Sequence, residues 1–227
     1  MYVLAIDTSS PAVTTGVVLV ENGVLAVAAE RAPLAARGHG ELLAPAIAEC
    51  LRDVGITAAD LGAVVAGVGP GPFTGLRVGL VTAMAVADGA GVPTYGVCSL
   101  DAIAAQARHD DADDADGDLL VLADARRKEV YWARYDGRGE RVTGPEVAAP
   151  ADVPLDGVRD LAGAAADLYA DVWPGPVRLP VRYPSAESLV GCARDQIVGG
   201  ASSEILEPLY LRRPDAVVPG APKTVSQ

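Results

Sequence analysis

Tyr2-Val-Leu-Ala-Ile-Asp7 followed by Thr8-Ser9-Ser10-Pro11 and then Val13 to Val20 reads as strand, turn and strand, the first run short, apolar and partly β-branched. Asn22-Gly23 is a hairpin signal, because both positions tolerate positive φ, and Val24 to Ala29 supplies a third strand. The chain therefore opens as an antiparallel meander. The same opening returns after the midpoint, where Leu119 to Leu122 leads into the turn at Asp124-Ala-Arg-Arg-Lys-Glu129 and a strand through Tyr135. Two related α/β lobes follow from the repetition, each opening with strands and closing with helices, over residues 1–100 and 101–227. The acidic run 109–118 is expected to be a surface loop between them, and the proline-rich tail after about Pro214 is expected to be loose.

Between the openings, Leu43, Ile47, Cys50, Leu51 and Val54 recur at helical spacing before Gly55. Pro45 is expected near the first turn or at a bend, since its ring clashes with the carbonyl four residues earlier. Ala63 to Val68 looks like a buried parallel strand, and Leu76 to Ala87 like a helix. On that second helix Leu76, Gly79, Leu80, Ala83 and Ala87 form a stripe of largely small residues, which permits close approach of another helix. Further helices are expected over 158–171 and 185–198.

Half of the 227 residues are hydrophobic, enough for a sizeable core. The net charge of −12, from 30 acidic and 18 basic residues, repels phosphate backbones and argues against direct nucleic-acid binding. Cys50, Cys98 and Cys192 are too far apart in sequence to suggest a disulfide framework or zinc cluster, and buried reduced thiols are expected. No apolar run approaches a membrane span, and the cytosol is the expected address.

Several patterns carry candidate chemistry, each with a plainer alternative. Asp7, Thr8 and Ser9 after a buried strand could hold a metal-bound phosphate at a crevice mouth, or simply start a hairpin. The Gly69–Gly75 loop, with Gly71 and Thr74, invites comparison with phosphate cradles. It lacks the Gly-Lys-Ser/Thr ending, however, and Pro70 and Pro72 remove two amide donors. His39 has Leu43, not a second histidine, four residues on, so no metal site is expected. No Gly-x-Ser-x-Gly elbow supports a serine nucleophile. Arg126, Arg127, Lys128 and Glu129 beside Tyr131, Trp132 and Tyr135 fit either a solvated strand end or an interface cluster.

Four segments together resemble the TsaB (YeaZ) family: Leu4-Ala-Ile-Asp-Thr-Ser9, His39-Gly-Glu-Leu-Leu43, Gly69-Pro-Gly-Pro-Phe-Thr-Gly-Leu-Arg-Val-Gly79 and Asp124-Ala-Arg-Arg-Lys-Glu-Val-Tyr131. Pro208-Leu-Tyr-Leu-Arg212 resembles the family's closing motif, so the likeness spans about residues 2–213. Pro72 departs from the family's usual serine in the glycine loop. The resemblance implies the two-lobed actin-like ATPase and sugar-kinase (ASKHA) fold, with mixed sheets and flanking helices. It also implies a non-catalytic role in N6-threonylcarbamoyladenosine modification of the tRNA adenosine next to the anticodon. The implied partners are a TsaD-like catalytic subunit and a TsaE-like ATPase, with a homodimer when the chain is alone and tRNA met only through the complex. No cofactor is expected, ATP or ADP entering only at a complex interface. The expected partner-binding residues are Leu43, Ile47 and Leu51 of the first helix with Leu76, Gly79, Leu80, Ala83 and Ala87 of the second. The competing expectation is an ATP-dependent kinase or ATPase built on Asp7, Thr8 and the 69–75 loop.

Overall fold

The structure, a computed structural model, describes residues 1–35, 38–110 and 117–212. Its first sheet joins β1 (Tyr2–Asp7), β2 (Thr14–Glu21), β3 (Val24–Arg31), β4 (Leu61–Gly69) and β5 (Thr94–Cys98) in the order β3-β2-β1-β4-β5. The first three strands pair antiparallel, and β1, β4 and β5 pair parallel. Asn22 and Gly23 take φ of 52° and 75°, as the hairpin signal requires. The second sheet joins β6 (Asp118–Asp124), β7 (Val130–Tyr135), β8 (Arg141–Ala148), β9 (Val158–Ala162) and β10 (Val177–Arg178) in the order β10-β9-β6-β7-β8. Counted from the first strand of each sheet, the two orders are the same. The sequence repetition is thus a repetition of topology, and the fold is the two-lobed ASKHA class.

Alternation along the central strands decides the layering. Leu4 and Ile6 of β1 and Val64, Ala66 and Val68 of β4 point to one face, where helices α1 (His39–Val54) and α2 (Phe73–Ala90) cover them. Val3, Ala5, Ala63 and Val65 point to the other face, against α3 (Ser99–Asp110), α5 (Ala186–Cys192) and α6 (Arg194–Val198). The next layer is the second sheet, where Leu119 and Val121 meet α3 through Leu100, Ile103 and Ala107. Leu120 and Leu122 face outward onto Trp173 and the short helix α4 (Ala164–Leu168). The Arg108–Asp160 ion pair at 3.0 Å and the Tyr135 hydroxyl, donating to Asp101 at 2.7 Å, fasten α3 to the second sheet. The α1 and α2 faces turned from the first sheet therefore lie on the side opposite the second lobe.

Four expectations need correction. Residues 158–162 form a strand, because Asp160, Leu161 and Ala162 pair parallel with β6, and only Ala164–Leu168 of the expected helix is helical. The helix expected over 185–198 is broken at Ala193 into α5 and α6. Pro45 lies inside α1, which starts already at His39. The boundary at 100/101 also fails as a clean division: α5 and α6 return to the first sheet, and the extended 204–209 segment is bonded to it through Glu204 N–H to Thr94 O and Leu209 N–H to Val68 O. Most of the acidic run and the tail after Arg212 lie outside the described residues.

Candidate functional site

Strand β1 ends at Asp7 in the middle of the first sheet, so its carboxylate is held by the strand's own burial. Asp7 is 1 % exposed. One oxygen, Oδ1, accepts from the Ser9 amide at 2.9 Å and the Ser9 hydroxyl at 2.7 Å, while Oδ2 accepts from the Ser99 hydroxyl. Burial pushes the Asp7 pKa up, against the lowering effect of these hydrogen bonds and of His39. Gly67 on the neighbouring strand leaves room for the carboxylate, since a Cβ there would stand 1.8 Å from Oδ2. Both oxygens thus accept from internal donors, and the carboxylate is buried.

The glycine loop lies on that same turn. A Cβ at Gly71 would meet the Ser9 carbonyl at 2.3 Å, one at Gly75 the Thr8 carbonyl at 2.6 Å, and one at Gly79 the Thr8 hydroxyl at 2.3 Å. Thr8 donates to the Gly75 carbonyl at 2.8 Å, whereas Thr74 points to solvent. Gly71 and Gly75 thus let the start of α2 and the loop before it approach the β1–β2 turn backbone to backbone, and Gly79 makes room for the Thr8 hydroxyl. This corrects the partner-interface assignment at residue level. Leu43, Ile47, Leu76, Gly79, Leu80, Ala83 and Ala87 are buried in the chain's own first core, and Leu51 packs at its edge. Among the apolar residues turned outward on α1 and α2 are Leu42, Val81 and Met84, at 36 %, 60 % and 40 % exposure. Val78 of α2 reaches Gly40 of α1, so the two helix N-terminal halves lie side by side.

His39 Nε2 lies 2.9 Å from the Ser10 carbonyl, and no cluster of three metal-ligating side chains occurs among the described residues. The Ser9 hydroxyl donates to Asp7 at 2.7 Å and the Ser10 hydroxyl to the Ala12 carbonyl at 3.4 Å. Cys50 and Cys98 are buried, whereas Cys192 is exposed, contrary to expectation. Burial pushes the Cys98 thiol up to about 11, far from a reactive thiolate.

The second-lobe counterpart of the Asp7 turn is organised differently. Arg126, Arg127 and Lys128 take φ of 61°, 54° and 62°, three successive side-chain-bearing residues in the left-handed region, and all three are exposed. The Asp124 carboxylate accepts from the Arg126 amide at 2.8 Å and pairs with its guanidinium at 3.4 Å. Tyr131, Trp132 and Tyr135 beside it are buried, so the aromatic half of the expected cluster is core. A different set of aromatics reaches this turn, which sequence reasoning missed. Phe73 stacks on Tyr210 with centroids 4.6 Å apart, Arg77 lies 3.7 Å over the Phe73 ring, and Arg77 Nε donates to the Tyr210 hydroxyl at 3.2 Å. The Pro208–Arg212 motif was the available signal; its contacts with Arg126 and Arg77 span 86 and 133 residues.

Two like-ordered sheets flanking α3, with a turn at the end of each first strand facing a shared crevice, define a two-lobed ASKHA-class protein. The family model described as "TsaD: tRNA N6-adenosine threonylcarbamoyltransferase" matches residues 31–173. A protein of Mycobacterium tuberculosis without assigned function is 49 % identical over 215 residues, covering 94 % of this chain and 93 % of that one. The tRNA threonylcarbamoyladenosine biosynthesis protein TsaB of Escherichia coli is 32 % identical over 229 residues, covering 93 % and 95 %. The solved YeaZ structure from Pseudomonas aeruginosa superposes with a TM-score of 0.75 at 26 % identity, covering 92 % and 99 %. The chain belongs to the TsaB (YeaZ) family, within the reach of the TsaD family model.

Proposed function

We propose that this chain serves tRNA threonylcarbamoyladenosine biosynthesis as a non-catalytic subunit that pairs with a TsaD-like transferase through the outward faces of α1 and α2. The observation carrying this reading is the exposed apolar set Leu42, Val81 and Met84 on adjacent helices, on the side opposite the second lobe. Such side chains gain from burial against an apolar partner face. The inward small-residue stripe supports the same reading indirectly, by seating α2 close to the sheet so that both helices present one surface. A second copy of the chain takes this surface when the transferase is absent. A TsaE-like ATPase completes the assembly, and any ATP or ADP binds between subunits, since Asp7 is already satisfied by Ser9 and Ser99. The chain then works in the cytoplasm, with the tRNA held by the assembly.

The test is association. Val81→Arg with Met84→Arg places two charges at the contact and should weaken co-purification with the TsaD-like subunit by more than about 30-fold, the equivalent of about 2 kcal/mol. Both side chains are exposed in the free chain, so its thermal unfolding should barely move. Unchanged association would remove the proposal. A reconstitution from transferase, ATPase, threonylcarbamoyl-adenylate supply and tRNA should lose product when this chain is left out.

A further inference from the structure

The molecule is strongly acidic, yet one place gathers cations around a cavity. Arg126, Arg127 and Arg212 line a recess of about 350 Å³ whose walls include Phe73, Tyr131 and Tyr210. Lys128 continues the same turn, and Arg77 stands behind the Phe73 ring. Arg126 pairs with Asp124 and Arg212 with Glu129. The turn thus sets three cationic side chains in a row in a chain of net charge −12. Lys128 makes no ion pair among the described residues.

The backbone adds a second observation. The left-handed region is unfavourable for a residue with a side chain, and three such residues in succession without a glycine persist only because the surroundings hold them. Asp124 holds the entry through the Arg126 amide, and the Ala125 amide bonds the Glu129 carbonyl at 3.0 Å to close the turn. Arg212 donates to the Arg126 carbonyl at 3.4 Å. A turn built only to connect β6 with β7 would be served better by glycine or asparagine. The observed one displays three consecutive cations at the crevice mouth instead.

We propose that this turn and the recess behind it form a direct contact for single-stranded RNA. Phosphates of the strand lie along Arg126, Arg127 and Lys128, and a base stacks on Tyr210, whose ring is supported from behind by Phe73 and Arg77 and is 38 % exposed. A strand fits better than a free nucleoside triphosphate. Arg126 also borders the crevice lined by Ser9, Ser99 and Arg182 and the recess lined by His39 and Glu41, so three adjoining cavities share this cation. A triphosphate calls for an enclosed amide cradle and a metal-binding carboxylate, and the Asp7 turn provides neither.

The inference rests on the tRNA reading above only for the choice of RNA. The full chain, alone at low salt and again bound to its TsaD-like partner, is titrated into a labelled anticodon stem-loop. Three phosphate contacts to a single strand predict a log-affinity against log-salt slope of about −2. Arg127→Gln with Lys128→Gln should weaken binding at least tenfold and flatten the slope by about 1.4. Tyr210→Leu, which leaves the charges in place, should cost about fivefold or more with the slope unchanged. Absence of binding by the unaltered chain in both settings, variants that bind as it does, or mononucleotides competing as well as the stem-loop would each overturn the proposal. The Val81→Arg and Met84→Arg chain separates the two readings. RNA binding retained by the free variant chain beside lost partner association supports both, and association retained by the turn variants shows that the turn is not simply part of the protein interface.

Discussion

The two lobes repeat one strand order, yet the turns at the ends of their first strands have opposite fates. In the first lobe Asp7 is buried, and the glycine loop of an eighteen-residue helix, α2, lies directly on the turn. In the second lobe the corresponding helix, α4, has five residues and reaches the sheet at Gly163 against the Leu122 carbonyl, short of Asp124. The second turn is left uncovered by its own lobe and displays Arg126, Arg127 and Lys128 to solvent. One topology thus yields a sealed polar knot and an exposed cationic loop, and the segment following the fourth strand decides which.

The sealed turn should be the less tolerant of change. Gly67→Ala would set a Cβ 1.8 Å from one Asp7 oxygen and 2.9 Å from the Ser99 hydroxyl, with no flexible side-chain end able to yield. Displacing the carboxylate leaves buried donors unpaired, and overpacking adds to the loss, so about 3 kcal/mol or more of stability should disappear in denaturant unfolding. A loss below about 1 kcal/mol would mean that the knot is looser than its hydrogen bonds imply.

Asp7→Asn should act more gently, with a sign that separates a structural carboxylate from a catalytic one. Burial raises the folded-state pKa of Asp7, so the native chain binds the proton more tightly than the unfolded chain. Its contribution is most favourable below the ordinary aspartate pKa of 3.8 and declines as pH rises through the folded value. The asparagine variant has no such term. Relative to the parent it should gain stability in passing from acid to neutral pH, measured as the difference in unfolding free energy, while reconstituted tRNA modification persists. Loss of modification by a stable variant would point back to the kinase-like alternative.

The sequence made the strand openings legible because period-two alternation and the Asn22-Gly23 turn are local signals, and the repeat at Leu119 pointed to two lobes. It misplaced residues 158–162 because Val158, Leu161 and Ala162 suit a helix face as well as a strand. Only pairing with β6 chooses between them. The stripe from Leu76 to Ala87 was read correctly as a close-approach surface and assigned to the wrong neighbour. Spacing reports that something packs close, and the structure shows the Thr8 hydroxyl against Gly79 and the chain's own first core around Leu80, Ala83 and Ala87. Asp7, Ser9 and the glycine loop were likewise singled out together, whereas Ser99 lay outside that set and Tyr210 entered only as part of a closing motif. Their contacts with Asp7 and Arg77 span 92 and 133 residues and leave no local trace.

The smallest expected effect tests whether the open turn holds its conformation at a cost. Lys128 sits at φ 62° and is exposed, so Lys128→Gly removes the steric penalty of a left-handed side chain without creating a cavity. Against that gain stands the greater freedom of glycine in the unfolded chain, so the net should be a stabilisation of up to about 1 kcal/mol. For a chain of this length that raises the unfolding midpoint by about 2–4 °C. The same change removes one cation from the turn and should weaken stem-loop binding with a slope shallower by about 0.7. A variant that is more stable and binds RNA less well would show that the left-handed run is retained for what it presents. A variant less stable than the parent would mean that Lys128 has a packing role, and the contrast between the sealed turn and the open one would then be weaker than drawn.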